Sequence, residues 1–379
     1  MQMKVNKDEN KGTYWFVVSA GKDENGKRRQ IKRRGFKTEK EAMKEMRKIL
    51  QQVDDQTYVK NTHVKYTEFL QGEWLQSKEV KLRTVTYRTY KSNVLKHIVP
   101  YFENQEMSKI TTVLIEKFYV FLLRDTGLSE RSIQDIQKIV KSSFKMAQRR
   151  KYITYNPAVD AEAPKVPHKE MSVWNLEEAV RFLKLAEKDD LHVAFLLALT
   201  TGMRQSEILG LRWKDIDFDE GNLRVRQTLS HDGKELIQAT KTKSSARTIA
   251  LIDRTTGDLK KQLRKIKKQR LAAGSSYVDN DLVICTKSGK PLNPRNLLRK
   301  FYSLIKKADV PPIRFHDLRH TVATLMLARN INPKVVKEIL GHSDIRVTLD
   351  TYSHVLPSVH KQTASQYGDM LFGQSINQG

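Results

Sequence analysis

A chain of 379 residues is too long for one ordinary core, so two or three domains are expected. With 39% hydrophobic and 30% charged residues, and no apolar run near the roughly 18–20 residues of a membrane span, the composition speaks for a soluble globular protein. Lys and Arg number 69 against 43 Asp and Glu, and the net charge of +26 attracts a polyanion, nucleic acid first among the candidates. The cations also cluster, at 27–34 and 260–270, instead of alternating with acids. No basic amphipathic helix with exposed aromatics stands out, which leaves a membrane-surface role without support. The amino-terminal MQMKVNKDENKG lacks the apolar core of a signal peptide and predicts a cytoplasmic protein. Cys285 is the single cysteine and forms no internal disulfide.

In chain order, the first segment reads as a small βββα unit. YWFVVSA at 14–20 has the composition of a strand, KDENG at 22–26 supplies a turn, and RRQIKRRGF at 28–36 pairs back onto it. Thr38 and Glu41 form a capping box for a helix over 39–53, with Ala42, Met46, Ile49, Leu50 and Val53 on one face. Arg28, Arg29, Lys32, Arg33 and Arg34 are then expected to decorate an exposed sheet surface and to bind DNA. Residues 64–155 read as all-helical, with helices near 67–78, 84–98, 111–126 and 129–149, punctuated by Pro100 and Gly127. NPAVDAEAPKVPHKE at 156–170 reads as a domain linker. Beyond it the pattern is mixed. Helices are expected near 175–188, 190–201, 204–211, 255–272, 294–308, 317–329, 332–340 and 345–352, and strands near 222–229, 235–240 and 246–251.

Four patches of this last region each offer a group that can bind or attack a phosphodiester: TGMRQSE with Arg204, ATKTKSSAR with Lys241 and Lys243, HDLRHT with His316, Arg319 and His320, and LGHSDIRVTLDTYSH with His342 and Tyr352. Phosphoryl transfer needs positioned cations around the equatorial oxygens, an in-line nucleophile and an acid for the leaving oxygen. Two arginines, two histidines, a lysine and a tyrosine supply these without a metal or other cofactor. The planar fork of arginine holds two phosphate oxygens at once. Positions 316, 319 and 320 stand at i, i+3 and i+4, so at a helix start they are expected to point one way. Taken singly, each patch has a blander reading. The arginine suits a surface ion pair, the tyrosine a core, and the HxxxH pair half of a metal site, although no HExxH glutamate or third ligand accompanies it.

In order and composition together, the patches resemble the tyrosine recombinase (integrase) family, whose pattern is Arg, Lys, His-x-x-Arg, His and Tyr. The likeness covers essentially the whole chain. TGMRQSEILGLRWKDID resembles the first family motif, HDLRHTVATLML the second and LGHSDIRVTLDTYSHV the third. The resemblance implies that Arg204, Lys241, His316, Arg319 and His342 activate the phosphate and that Tyr352 is the nucleophile. His320 is then a packing neighbour, and Glu207 a structural partner for the first arginine's helix. Ala250 departs from the family, which often has proline there, so the lysine register between Lys241 and Lys243 stays open.

The resemblance further implies an arm-type DNA-binding domain at 1–60, a helical core-binding domain at 64–160 and a mixed α/β, mostly helical catalytic domain at 170–379. The expected partners are double-stranded DNA at core and arm sites, a homotetramer on DNA, and DNA-bending and excision proteins, all in the bacterial cytoplasm at the nucleoid. The arm segment, absent from Xer recombinases and Cre, favours an integrase of a phage or transposon. Two alternatives remain at this point: a type IB topoisomerase-like relaxing enzyme, and a non-catalytic DNA-binding regulator on the same scaffold.

Overall fold

The aromatic and β-branched residues near the start of the chain form a sheet that one helix closes. A computed structural model describes residues 4–22, 28–55, 63–167, 172–238 and 247–341, with 344, 349, 367, 368 and 371. The antiparallel strands β1 (Val5–Asp8), β2 (Thr13–Lys22) and β3 (Arg28–Phe36) lie in that order. Phe16, Val18 and Ile31 turn inward against Ala42, Met46 and Ile49 of the helix Glu39–Asp54. The Thr38 hydroxyl accepts from Glu41 N at 3.2 Å, as the capping signature predicts, but the Glu41 carboxylate reaches Lys37 N instead of Thr38 N. Pairing runs Trp15 to Arg34 and Tyr14 to Phe36, so Gly35 is an extra residue, and its φ of 91° shows why glycine stands there.

Helices follow. Tyr66–Phe69, Leu70–Trp74 and Leu75–Glu79 are consecutive, the middle segment a π turn; Thr84–Asn93, Val94–Ile98 and Val99–Tyr101 repeat that arrangement. Pro100 was expected to end the second helix, yet helical structure extends to Tyr101. The π turn ahead of it already interrupts the i to i−4 ladder, so the missing proline N–H costs little there. The helices Thr112–Arg124 and Glu130–Arg149 complete a core that buries Tyr66, Trp74, Phe118 and Phe144. Tyr66 stacks on Phe144, and its hydroxyl meets Ser143 Oγ at 2.7 Å.

The segment read as a linker begins as part of this core. Ala158 and Ala161 are buried, the Ala161 carbonyl accepts from Gln137 Nε2 at 3.0 Å, and the Pro157 carbonyl accepts from Thr112 Oγ1 at 2.9 Å. Alanine buries little area, which is why the stretch resembles a linker in sequence. The chain divides into two compact units, Met1–His168 and Lys169–Gly379, and the first contains two separate hydrophobic cores.

The second unit packs Trp174, Phe182, Phe301 and Phe315 around the helix His192–Thr201, which contributes Phe195 and is buried on nearly every side as its apolar sequence requires. Further helices are Leu176–Ala186, Gln205–Gly210, Asp253–Ala273, Pro294–Ala308, Asp317–Ala328 and Pro333–Leu340. Its strands are β4 (Ile216–Asp217), β5 (Asn222–Val225), β6 (Gln227–Leu229), β7 (Leu236–Gln238) and β8 (Arg247–Ala250). Residues 222–229, expected as one strand, divide at Arg226: β5 joins a sheet of order β4-β5-β8, and β6 forms a separate hairpin with β7. Among the described residues no helix is long and apolar enough to cross a membrane. Of the helix expected at 345–352, only Leu349 is among the described residues.

Candidate active site

The helix His192–Thr201 stops at Gly202, whose φ of 63° is left-handed. A Cβ at this position would lie 2.3 Å from Cδ2 of the buried Leu340, which would have to shift, and the positive φ strains any other residue, so glycine suits the turn. Two residues later Arg204 caps the helix Gln205–Gly210, and Glu207 stands in its first turn. The Glu207 carboxylate is 3% exposed and accepts from four nitrogens. Arg204 donates from its backbone N to Oε2 at 2.9 Å and from Nη1 to Oε1 at 2.7 Å. Arg247, at the start of β8, donates from Nη1 to Oε1 at 3.2 Å and from Nη2 to Oε2 at 2.8 Å. Burial alone would raise the Glu207 pKa; the hydrogen bonds and charge of Arg247, with the charge of Arg204, overcome it and hold the group at about 2. Glu207 is therefore ionised at neutral pH, with two guanidinium groups to one carboxylate.

The second arginine is set by a turn. Asp317 is buried and accepts from Arg314 N at 2.8 Å and from that guanidinium at 3.0 and 2.8 Å, which fixes the chain as it enters the helix Asp317–Ala328. Arg319 is 2% exposed, and its Nη1 donates to the Gly202 carbonyl at 2.9 Å. His316 and His320 face each other edge to face, their ring centroids 5.2 Å apart, while Arg319 turns deeper into the protein. The three residues of HDLRHT thus divide into a histidine pair and a buried cation. Burial first, then the charges of Arg319 and Arg204, hold His316 below the usual imidazole range. Burial, then the neighbouring His316, lowers His320 to about 4. Without DNA, both shifts favour the uncharged imidazole.

The third motif reaches the same place through its backbone. The helix Pro333–Leu340 ends at Gly341, also left-handed with φ 68°, and the Gly341 carbonyl accepts from Arg204 Nη2 at a long 3.5 Å. Two residues earlier the Ile339 carbonyl accepts from Arg247 Nε at 2.7 Å. Arg204 and His316 line one cleft of about 390 Å³ together with Thr228, Ser230, His231 and Pro294. Arg204, His316 and Arg319 are thus brought together. Lys241, Lys243, His342 and Tyr352 lie outside the described residues.

Sequence reasoning passed over Arg247, although it closes the quoted ATKTKSSAR. Its signal was the strand alternation: Arg247 shares a face with Ile249, which is buried, so a cation falls on the core side of β8. On the amino-terminal sheet, Lys32 Nζ stands 4.5 Å from the centre of the Trp15 ring and the Arg34 guanidinium 5.9 Å from it, both on the face away from the core. Arg33 pairs with the buried Phe16 and belongs to the opposite face, so the five cations do not share one surface. Arg28 and Arg29 open β3.

Comparison with known proteins follows the same divisions. Residues 173–358 match the phage integrase family, residues 4–53 an arm DNA-binding domain and residues 66–123 the N-terminal SAM-like domain of phage integrases. A XerC-like tyrosine recombinase of Caldanaerobacter subterraneus subsp. tengcongensis is 29% identical over 398 residues, covering 98% of this chain and 100% of that protein. The ICEBs1 integrase of Bacillus subtilis is 29% identical over 294 residues, 75% of this chain and 78% of its own length. Among solved structures, the Tn1549 transposon integrase in complex with transposon right end DNA superposes with a TM-score of 0.66 at 18% identity. It covers 79% of this chain and 100% of that one.

Proposed function

The chain belongs to the phage integrase family of tyrosine recombinases, an enzyme that cuts and rejoins DNA to integrate and excise a mobile element, and from that premise we propose how its residues divide the work. Tyr352 attacks the scissile phosphorus through its phenolic oxygen, forming a 3′-phosphotyrosyl link and expelling the 5′-oxygen. Lys241 protonates that oxygen, with Lys243 as a neighbouring phosphate contact. The 5′-hydroxyl of a partner strand then attacks the phosphotyrosine and returns the tyrosine, so the bond energy is conserved and no ATP is needed. Arg204 and Arg319 neutralise the non-bridging oxygens, whose charge peaks in the transition state. His316 hydrogen-bonds one of those oxygens, and His342 completes the set.

The observation that carries this reading is the convergence of Arg204, His316 and Arg319 from two distant motifs, tied through Glu207 and the carbonyls of Gly202 and Gly341. Residues 1–60 serve as the arm-binding domain, 64–160 as the core-binding domain and 170–379 as the catalytic domain, acting as a homotetramer on double-stranded core and arm sites in the bacterial cytoplasm. DNA-bending and excision proteins assist.

The test is a nicked substrate that traps the covalent complex. Tyr352→Phe is expected to bind this DNA with wild-type affinity and form no adduct. Adducts at the wild-type level would remove Tyr352 from the mechanism.

A further inference from the structure

Arg204 and Arg247 divide one buried carboxylate. Each places a guanidinium nitrogen on Glu207 Oε1, and Oε2 receives Arg204 N and Arg247 Nη2. Their environments differ: the Arg204 side chain is 37% exposed and lines the cleft, whereas the Arg247 side chain is 7% exposed. Both also donate to the end of the same helix, Arg247 to the Ile339 carbonyl and Arg204 to that of Gly341. With Arg247 present the trio carries one net positive charge. Without it Glu207 and Arg204 would neutralise each other, in surroundings where little water screens the attraction.

We propose that Arg247 is a positioning residue for Arg204: it occupies half of the Glu207 carboxylate and anchors that pair to the 339–341 segment, leaving Arg204 a net cation aimed into the cleft. The proposal rests on the reading of Arg204 as a phosphate-neutralising residue. It predicts more than the loss of an ion pair. Removing Arg247 frees Glu207 to draw Arg204 away from the DNA, so removing the Glu207 charge as well restores part of what was lost. An Arg247 that served stability alone would give no such recovery.

The experiment measures single-turnover adduct formation and DNA affinity in the full chain. Its variants are Arg247→Met (which keeps the length of the apolar stem), Arg247→Lys, Arg247→Met with Glu207→Gln, and Arg204→Ala. Displacing a clamping group by about 1 Å costs on the order of 10²-fold in rate, and Arg247→Met is expected to lose about that much with its affinity unchanged. Adding Glu207→Gln should recover roughly tenfold of the rate, which corresponds to one net charge no longer drawn off. A double variant no faster than Arg247→Met, or an Arg247→Met protein as fast as wild type, overturns the proposal. Arg247→Lys keeps the charge without the fork, and its rate is expected within about tenfold of wild type. If Arg247→Met does not fold, a folded Arg247→Lys protein as slow as Arg204→Ala still overturns it. Failure of the parent reading is separate: Arg204→Ala itself would then cleave at the wild-type rate.

Discussion

On the amino-terminal sheet, Lys32 and Arg34 lean against the open side of Trp15; in the second unit Arg204 and Arg247 share the oxygens of Glu207, and Arg319 is sunk onto the Gly202 carbonyl. The first pair is exposed, so on the proposed reading each cation can adjust along a phosphate backbone and exchange water and counterions for it. The second set is held by hydrogen bonds of fixed direction before any DNA arrives. Affinity needs only charge at the right distance, whereas lowering a barrier needs charge that does not reorganise as the transition state forms. On the proposed reading, basic side chains are therefore mounted in two ways for two tasks.

The largest expected effect separates those tasks directly. Arg204→Ala and Arg319→Ala should each slow adduct formation by on the order of 10²–10³, or about 3–4 kcal/mol, while gel-shift affinity changes little. An equal loss in both measurements would break the comparison by making them ordinary phosphate anchors. Next comes the cost of the fixed mounting. Glu207 has a pKa depressed to about 2, so its contribution to stability is complete above the unfolded value near 4.5 and is lost as the pH falls from there through 2. Glu207→Gln should destabilise the second unit at pH 7 by about 3–5 kcal/mol, because it leaves two cations without their anion, and should flatten its acid-unfolding limb. Denaturant titrations at pH 7 and pH 3 check both; an unchanged acid limb would mean that this carboxylate is not the linked group.

Smaller effects sharpen the other side. Lys32→Ala and Arg34→Ala should each reduce the salt slope of arm-site binding by about 0.9, the contribution of one neutralised phosphate, with little dependence on sequence. Arg33→Ala, on the helix side of the sheet, should leave the slope unchanged; a drop equal to that of Arg34→Ala would put Arg33 on the DNA face. Smallest is Trp15→Ala, which removes the ring beneath two exposed cations and should weaken binding by about 0.5–1 kcal/mol with the slope intact.

Much of this architecture was legible because long helices announce themselves. The apolar stripe Ile133, Ile136, Val140, Phe144 marks Glu130–Arg149, and Gly202 and Gly341 stand where helices end. Short elements were harder. The strand β1 has four residues, too few for alternation to be read, and the single expected strand at 222–229 divides at Arg226 because two sheets claim its halves, which no local pattern reports. Residues 158–161 read as linker because two alanines carry too little apolar area to register, yet they complete a core. In the site, the spacing of HDLRHT placed His316 and His320 together, but the depth of Arg319 and the role of Arg247 as a second partner to Glu207 depend on chain segments more than a hundred and about forty residues away in sequence. Those are tertiary facts.

Gly202 and Gly341 each lend a carbonyl to an arginine of the site, and each can point that carbonyl as it does because its backbone is left-handed. A side-chain partner can be replaced by another of similar chemistry; a backbone oxygen can only be misdirected. The mutational tolerance of this site should therefore be lowest where there is no chemistry to lose. A library of substitutions would find few acceptable residues at these two glycines, and a strained replacement at either would turn an arginine away while every ionisable group remained in place.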